Sequence, residues 1–301
     1  MADSSNYNPA IIFLALNRFS GLVPRQIEAL LHHFSTLERI IKADSGSLMT
    51  IEGMTEEIAN KVSGASKFLS EAADYYSDLS NRDILVRTRF DTDYPQLFFE
   101  LNDPPALLYV RGKMPDRTMK TLTVVGTTEA TNEGIELTVK LADTCTRAGI
   151  QIVSSLNKGI DAAAHLGAKK TNGTSFAIFE SGFDYIDPSE EIPLAIDIAR
   201  TGGVLSEYPP DQAGNSDSRE LTNRLLVGIS QAVVVTEVYS NSTRTLDLLS
   251  FCNQIGKLSF VLIDPIYGVK ADEDSLGKAI SCGAIPMVGL DKIDDIIKSL
   301  V

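Results

Sequence analysis

Apolar residues recur along this chain in two rhythms, and the change between them divides it. Up to about Tyr76 they fall at helical spacing. Residues 11–16 form one apolar run. Pro24 suits the first turn of a following helix, on which Ile27, Leu30, Leu31 and Phe34 recur at that spacing. Leu37, Ile40 and Ile41 mark another short helix. Thr55 is a good N-cap for one that carries Ile58 and Val62 on one face. Phe19-Ser20-Gly21-Leu22-Val23, and Gly53-Met54 after Ile51, are apolar-Gly-apolar turns between short helices. That is the pattern of a helix-hairpin-helix unit, which can offer backbone N–H groups and a helix N-terminus to a phosphate. A small bundle used for packing has the same pattern, and neither hairpin is rich in Lys or Arg.

Residues 77–119 read as a connection. They hold two turn-forming clusters, Asp91-Thr92-Asp93-Tyr94-Pro95 and Asn102-Asp103-Pro104-Pro105, and a strand over 106–110. From Thr121 strands and helices alternate. Strands are predicted over 121–125, 150–154, 175–179, 204–206, 232–237 and 258–263. Helices are predicted over 133–148, 160–170, 192–200, 221–228, 245–255, 275–282 and 293–300. This rhythm predicts a Rossmann-like parallel α/β sheet covered on both faces, preceded by a small all-α helix-hairpin-helix (SAM-like) domain. The expected domains are 1–76 and 120–301, with 77–119 between them. In such sheets ligands bind at the C-terminal strand ends, where the strand order reverses.

Composition narrows the function classes. An apolar fraction of 44% in 301 residues fits a globular protein, and no apolar run is long enough to cross a membrane. The polar N-terminus predicts no secretory signal. Three widely spaced cysteines fit reduced thiols in a cytoplasm and give no metal-ligand spacing. A net charge of -13 counts against a broadly basic nucleic-acid surface. Any such binding must rest on a local patch.

The candidate patch lies in the predicted strand-to-helix loops. Gly126, Thr127 and Thr128 are small enough to let a phosphate approach the backbone at a helix N-terminus. They are not a Gly-x-Gly-x-x-Gly fingerprint, so no dinucleotide cofactor is expected. Ser154, Ser155, Lys158 and Gly159 form a polar loop with one cation. Asp161 suits the dipole of the next helix, and His165 reads as a packed core histidine. Asn223 and Arg224 head an apolar helical stretch. This aims the guanidinium at the cleft rim, with a salt bridge to Glu207 or Glu237 as the alternative. Ser242 and Arg244 lie in a small polar loop after a strand. No nucleophile-base-acid set is readable.

The order of the strand-end motifs resembles the DprA/Smf family. The resemblance rests on Asp93-Tyr94-Pro95, on the stretch from Asp103-Pro104-Pro105 through Gly112, and on Val124-Val125-Gly126-Thr127-Thr128. It continues through Ser154-Ser155-Leu156-Asn157-Lys158-Gly159-Ile160-Asp161, Ser181-Gly182-Phe183-Asp184, Leu205-Ser206-Glu207-Tyr208-Pro209, and Asn223-Arg224 with Gly228-Ile229-Ser230. It adds Gly182 to the candidate site. The resemblance implies a cytoplasmic, non-enzymatic protein without a cofactor. Such a protein binds single-stranded DNA, forms a homodimer, and loads the RecA recombinase during natural transformation and recombination. The chain departs from the pattern at several positions. Thr128 and Thr222 stand where the family has Arg, and Ser155 stands where it has Gly. Losing two bidentate phosphate donors predicts weaker DNA binding or a changed ligand. A nucleotide-derivative sensor, or a phosphoribohydrolase like those of the LOG family, is therefore the alternative. Against hydrolysis, the stretch from Tyr239 to Asp247 lacks that family's glycines and Glu.

Overall fold

A strand buried on both faces reads as a mostly apolar run, and the second part of the chain supplies several such runs. The computed structural model describes residues 8–186, 189–215, 218–239, 241–266 and 273–293, with 295 and 298. It divides into two compact units. One comprises Met1–Tyr94 with Asn102–Val110, the other Pro95–Leu101 with Arg111–Val301.

The first unit is helical with a two-stranded ribbon. Helix α1 (Pro9–Leu14) starts where Asn8 accepts the Ala10 N–H, and it runs into a π-helical turn at Ala15–Phe19. Gly21, at φ +70°, reverses the chain before α2 (Pro24–His33), which has Pro in its first turn. Then come α3 (Leu37–Ile41) and α4 (Ser45–Leu48). Gly53, at φ +77°, makes the second reversal, and the Thr55 hydroxyl caps α5 (Glu56–Gly64). Helix α6 (Leu69–Asn81) completes the set. Strand β1 (Leu85–Thr88), which the apolar pattern does not reveal, pairs antiparallel with β2 (Leu107–Gly112). Tyr94 is fully buried, and its hydroxyl donates to the Pro105 carbonyl at 2.7 Å. That bond ties the two Pro-containing turn clusters together.

The second unit alternates as the sequence predicts: β3 (Thr121–Val125), α7 (Asn132–Arg147), β4 (Gln151–Ser155), α8 (Ile160–Lys170), β5 (Ser175–Ile178), α9 (Ile192–Thr201) and β6 (Gly203–Ser206). It continues through α10 (Ser218–Gly228), β7 (Ala232–Val235), α11 (Thr243–Gln254), β8 (Leu258–Ile263), α12 (Glu273–Ser281) and β9 (Ile285–Val288). These strands are parallel, in the order β6-β5-β4-β3-β7-β8-β9. Beyond Ile293 the helix expected over 293–300 lies largely outside the described residues.

Small residues bring α7 and α8 together. A Cβ on Gly167 would lie 2.5 Å from the Val139 carbonyl oxygen, so the helices meet backbone to backbone. Beneath them lies a core that includes Leu122, Val124, Leu137, Leu141, Ile152 and Val234. Strand β3 leads to β4 on one side and β7 leads to β8 on the other, so the order reverses between β3 and β7. The loops that leave these strands flank the crevice where such sheets hold ligands. Among the described residues no helix is long and apolar enough to cross a membrane.

Candidate functional site

The N-terminus of α7 lies beside the switch point, and the chain fills it with its own carboxylate. Thr131 caps α7 by accepting the Gly134 N–H at 3.0 Å. The Glu237 side chain, from the loop after β7, accepts the Thr131 N–H at 3.0 Å and the Tyr239 hydroxyl at 2.6 Å. It lies so close that a Cβ on Gly134 would fall 2.0 Å from its Oε2. A carboxylate therefore sits where an anion would be held by the helix dipole and free N–H groups. The Glu237 carbonyl oxygen also accepts the Thr127 N–H at 3.0 Å.

A second carboxylate, Asp161, lies in the first turn of α8. It is buried. Its carboxylate accepts the Ser155 hydroxyl, the Asn157 amide at 3.3 Å and the Gly126 N–H at 3.3 Å. Burial pushes its pKa up, opposed by the charge of Arg244 and by these donors. One helical turn on, the buried His165 meets the Ser155 carbonyl oxygen through Nε2 at 2.9 Å. Its Nδ1 is enclosed without a partner, and burial lowers its pKa to about 4. Both residues hold the β4–α8 loop. His165 is packed in the core as the sequence reads it, whereas Asp161 accepts from that loop and from Gly126 and, among the described residues, caps no N–H of α8.

The small-residue loops meet as expected. Gly159, at φ +83°, lies against the preceding loop, and a Cβ there would fall 2.6 Å from the Thr127 carbonyl oxygen and 2.9 Å from that of Thr128. That oxygen of Thr127 accepts the Ile160 N–H at 3.2 Å. Gly159→Ala is expected to cost about 2 kcal/mol or more, through the left-handed backbone and the clash. Chemical denaturation would measure it. Lys158, beside Gly159, is exposed and makes no ion pair among the described residues.

Other candidates are drawn into the fold. Ser154 is buried and donates to the Val124 carbonyl oxygen at 2.6 Å, stitching β4 to β3. Gly182 permits close backbone contact, because a Cβ there would fall 1.9 Å from the Pro209 carbonyl oxygen. Arg224 does not reach the cleft rim. It lies in α10 and is buried in an ion pair with Glu207. Asn223 donates from Nδ2 to the Arg244 carbonyl oxygen at 3.3 Å. Ser242 accepts the Tyr239 N–H through its hydroxyl at 3.1 Å, shaping the turn before α11. Arg244 pairs with Glu180.

What stays open is a cavity of about 410 Å³ over the C-terminal ends of β4 and β5. Ser155, Asn157, Glu180, Tyr185 and Asn215 are among the residues that line it. Tyr185 is 49% exposed. The sequence gives little signal for Tyr185 or Glu180. They flank the Ser181-Gly182-Phe183-Asp184 motif, but which of its neighbours face solvent depends on the turn that Gly182 makes. Phe183 is buried there, edge-on to Phe179. The cavity offers an aromatic face, amide groups for hydrogen bonding and one ion pair at its wall.

Comparison with known proteins adds family membership to this geometry. Residues 85–298 match the family model described as DNA recombination-mediator protein A. Protein Smf of Synechocystis is 31% identical over 75% of this chain and 57% of its own length. DNA processing protein DprA of Bacillus subtilis is 32% identical over 48% of this chain and 49% of its own. The chain thus spans about half the length of these curated relatives. Among solved structures, Streptococcus pneumoniae DNA processing protein A superposes with a TM-score of 0.78 at 22% identity, covering 96% of this chain and 98% of that one. DNA processing protein A of Helicobacter pylori, solved for its single-stranded DNA binding mode, gives 0.62 at 23% identity, covering 71% of this chain and 96% of that one. At those identities the likeness is one of fold. With the family model spanning most of the chain and the strand-end motifs in order, the protein belongs to the DNA recombination-mediator protein A family, known as DprA or Smf.

Proposed function

We propose that this protein binds single-stranded DNA across the C-terminal ends of β4 and β5, with a base against Tyr185 and a phosphate at Lys158. The observation that carries this reading is the open cavity lined by the exposed Tyr185, with Lys158 exposed in the β4–α8 loop and without an ion pair among the described residues. Strand-binding proteins of low sequence preference combine those two features. We extend the reading to the role that the family implies. The protein acts as a homodimer without catalysis of its own, and it passes the strand to RecA in transformation and recombination.

The alternative is a mononucleotide sensor or hydrolase. It needs a phosphate at the switch point, and there the Glu237 carboxylate already holds the N-terminus of α7. Glu207 is likewise engaged, in the pair with Arg224.

The test is fluorescence anisotropy with labelled oligo-dT of increasing length at two salt concentrations. Affinity is expected to rise with length and to fall with salt, since each neutralised phosphate contributes a slope of about -0.7 in log K against log salt. Lys158→Ala is expected to weaken binding about fivefold, roughly 1 kcal/mol for one exposed contact. Binding of a mononucleotide that matches that of the long strand would overturn the reading.

A further inference from the structure

The two arginines of the site, Arg224 and Arg244, are each paired with a carboxylate, but the two pairs differ in kind. Arg224 and Glu207 have side-chain exposures of 5% and 11%, so that pair holds the fold. Arg244 and Glu180 have 21% and 25%, and Glu180 lines the open cavity. Asn223 fixes the backbone of Arg244, so its guanidinium can change partner without the helix moving. The buried carboxyl of Asp161 lies within reach of its field.

We propose that Glu180 is a built-in competitor of the nucleic acid. Its carboxylate occupies the guanidinium of Arg244 as a phosphate would, and the bound strand takes its place. This rests on the single-stranded DNA reading above. A planar guanidinium pairs with a carboxylate or with a phosphate through the same charge, so one can replace the other. Glu180 then lowers affinity twice over, by occupying the donor and by repelling the incoming phosphate. An acidic chain that binds DNA through a few cations gains a low affinity from such a device. That suits a protein that must release its strand.

The experiment compares the full chain with Glu180→Ala, Glu180→Gln, Arg244→Ala and the Glu180→Ala/Arg244→Ala double variant, by oligo-dT anisotropy. Glu180→Ala is expected to tighten binding about tenfold and to steepen the salt dependence by up to about 0.7 in log–log slope. Glu180→Gln keeps the shape and removes the charge, so it should tighten binding too, even if the alanine variant folds poorly. The gain from Glu180→Ala should shrink to the part due to repulsion alone once Arg244 is removed, as the double variant compared with Arg244→Ala reads. If the native chain binds a long strand and neither Glu180 variant binds more tightly, the competitor role is wrong and the DNA reading stands. If no protein of the set binds, Glu180→Gln included, the DNA reading fails and this one with it.

Discussion

Asp161→Ala is expected to lower the unfolding free energy of this protein by about 3 kcal/mol, the scale for breaking a buried charged cluster. All three groups around this carboxylate donate to it: the Ser155 hydroxyl, the Asn157 amide and the Gly126 N–H. Deletion leaves the Gly126 N–H and the Ser155 hydroxyl without this acceptor, though the Asn157 amide still donates to the Ser155 hydroxyl, and it removes one of the negative charges near Arg244. Asn is a poor substitute, because its NH2 would face donors. The loop affected joins β4 to α8 and carries Lys158, so the variant should also lose oligonucleotide affinity. Urea denaturation followed by circular dichroism measures the first effect. A variant within about 0.5 kcal/mol of the native chain would show that the cluster does not hold the loop.

Acidification should unfold the protein through His165. The carbonyl of Ser155 accepts only from an N–H, so the proton sits on Nε2 and Nδ1 carries a bare lone pair. Protonating Nδ1 would bury a charge and a donor with no acceptor, and the pKa falls from 6.5 to about 4. The unfolded chain takes up this proton near 6.5, whereas the folded chain resists until about 4. The stabilisation is therefore complete above the unfolded value and is lost as pH falls through that window. A depression of this size corresponds to about 3 kcal/mol. His165→Gln can still donate to Ser155 and does not titrate. Its stability should change much less between pH 7 and 4.5. Parallel pH profiles for the two proteins would assign the acid sensitivity elsewhere.

The parallel sheet is legible in the sequence because β3, β4, β5, β6 and β7 are buried at every position and each is built around apolar residues, with small or hydrogen-bonded polar ones between them. Strand β9 escapes that reading. Three of its four residues, Ile285, Pro286 and Val288, are exposed, and it contains a proline. Strand β1 escapes because it is short and carries Arg87. The loops of the site were legible through their small residues, which mark close backbone approach at Gly126, Gly159 and Gly182. The partners were not. Glu237 reaches Thr131 across more than a hundred residues, and local pattern holds no trace of that contact. The same limit applies to Arg224. Its place at the head of an apolar helical stretch fits the cleft rim as well as the buried pair with Glu207 that it forms. The aromatic face of Tyr185 depends on how one turn is folded.

The central claim is a location, so the most direct measurement is one that reads location. An oligo-dT strand carrying 5-iododeoxyuridine would be irradiated with the protein and the adduct mapped by mass spectrometry. The account predicts an adduct on Tyr185, competed by unlabelled strand and lost in Tyr185→Ala. Adducts confined to the helical segment 9–81, with none at the ends of β4 and β5, would contradict it.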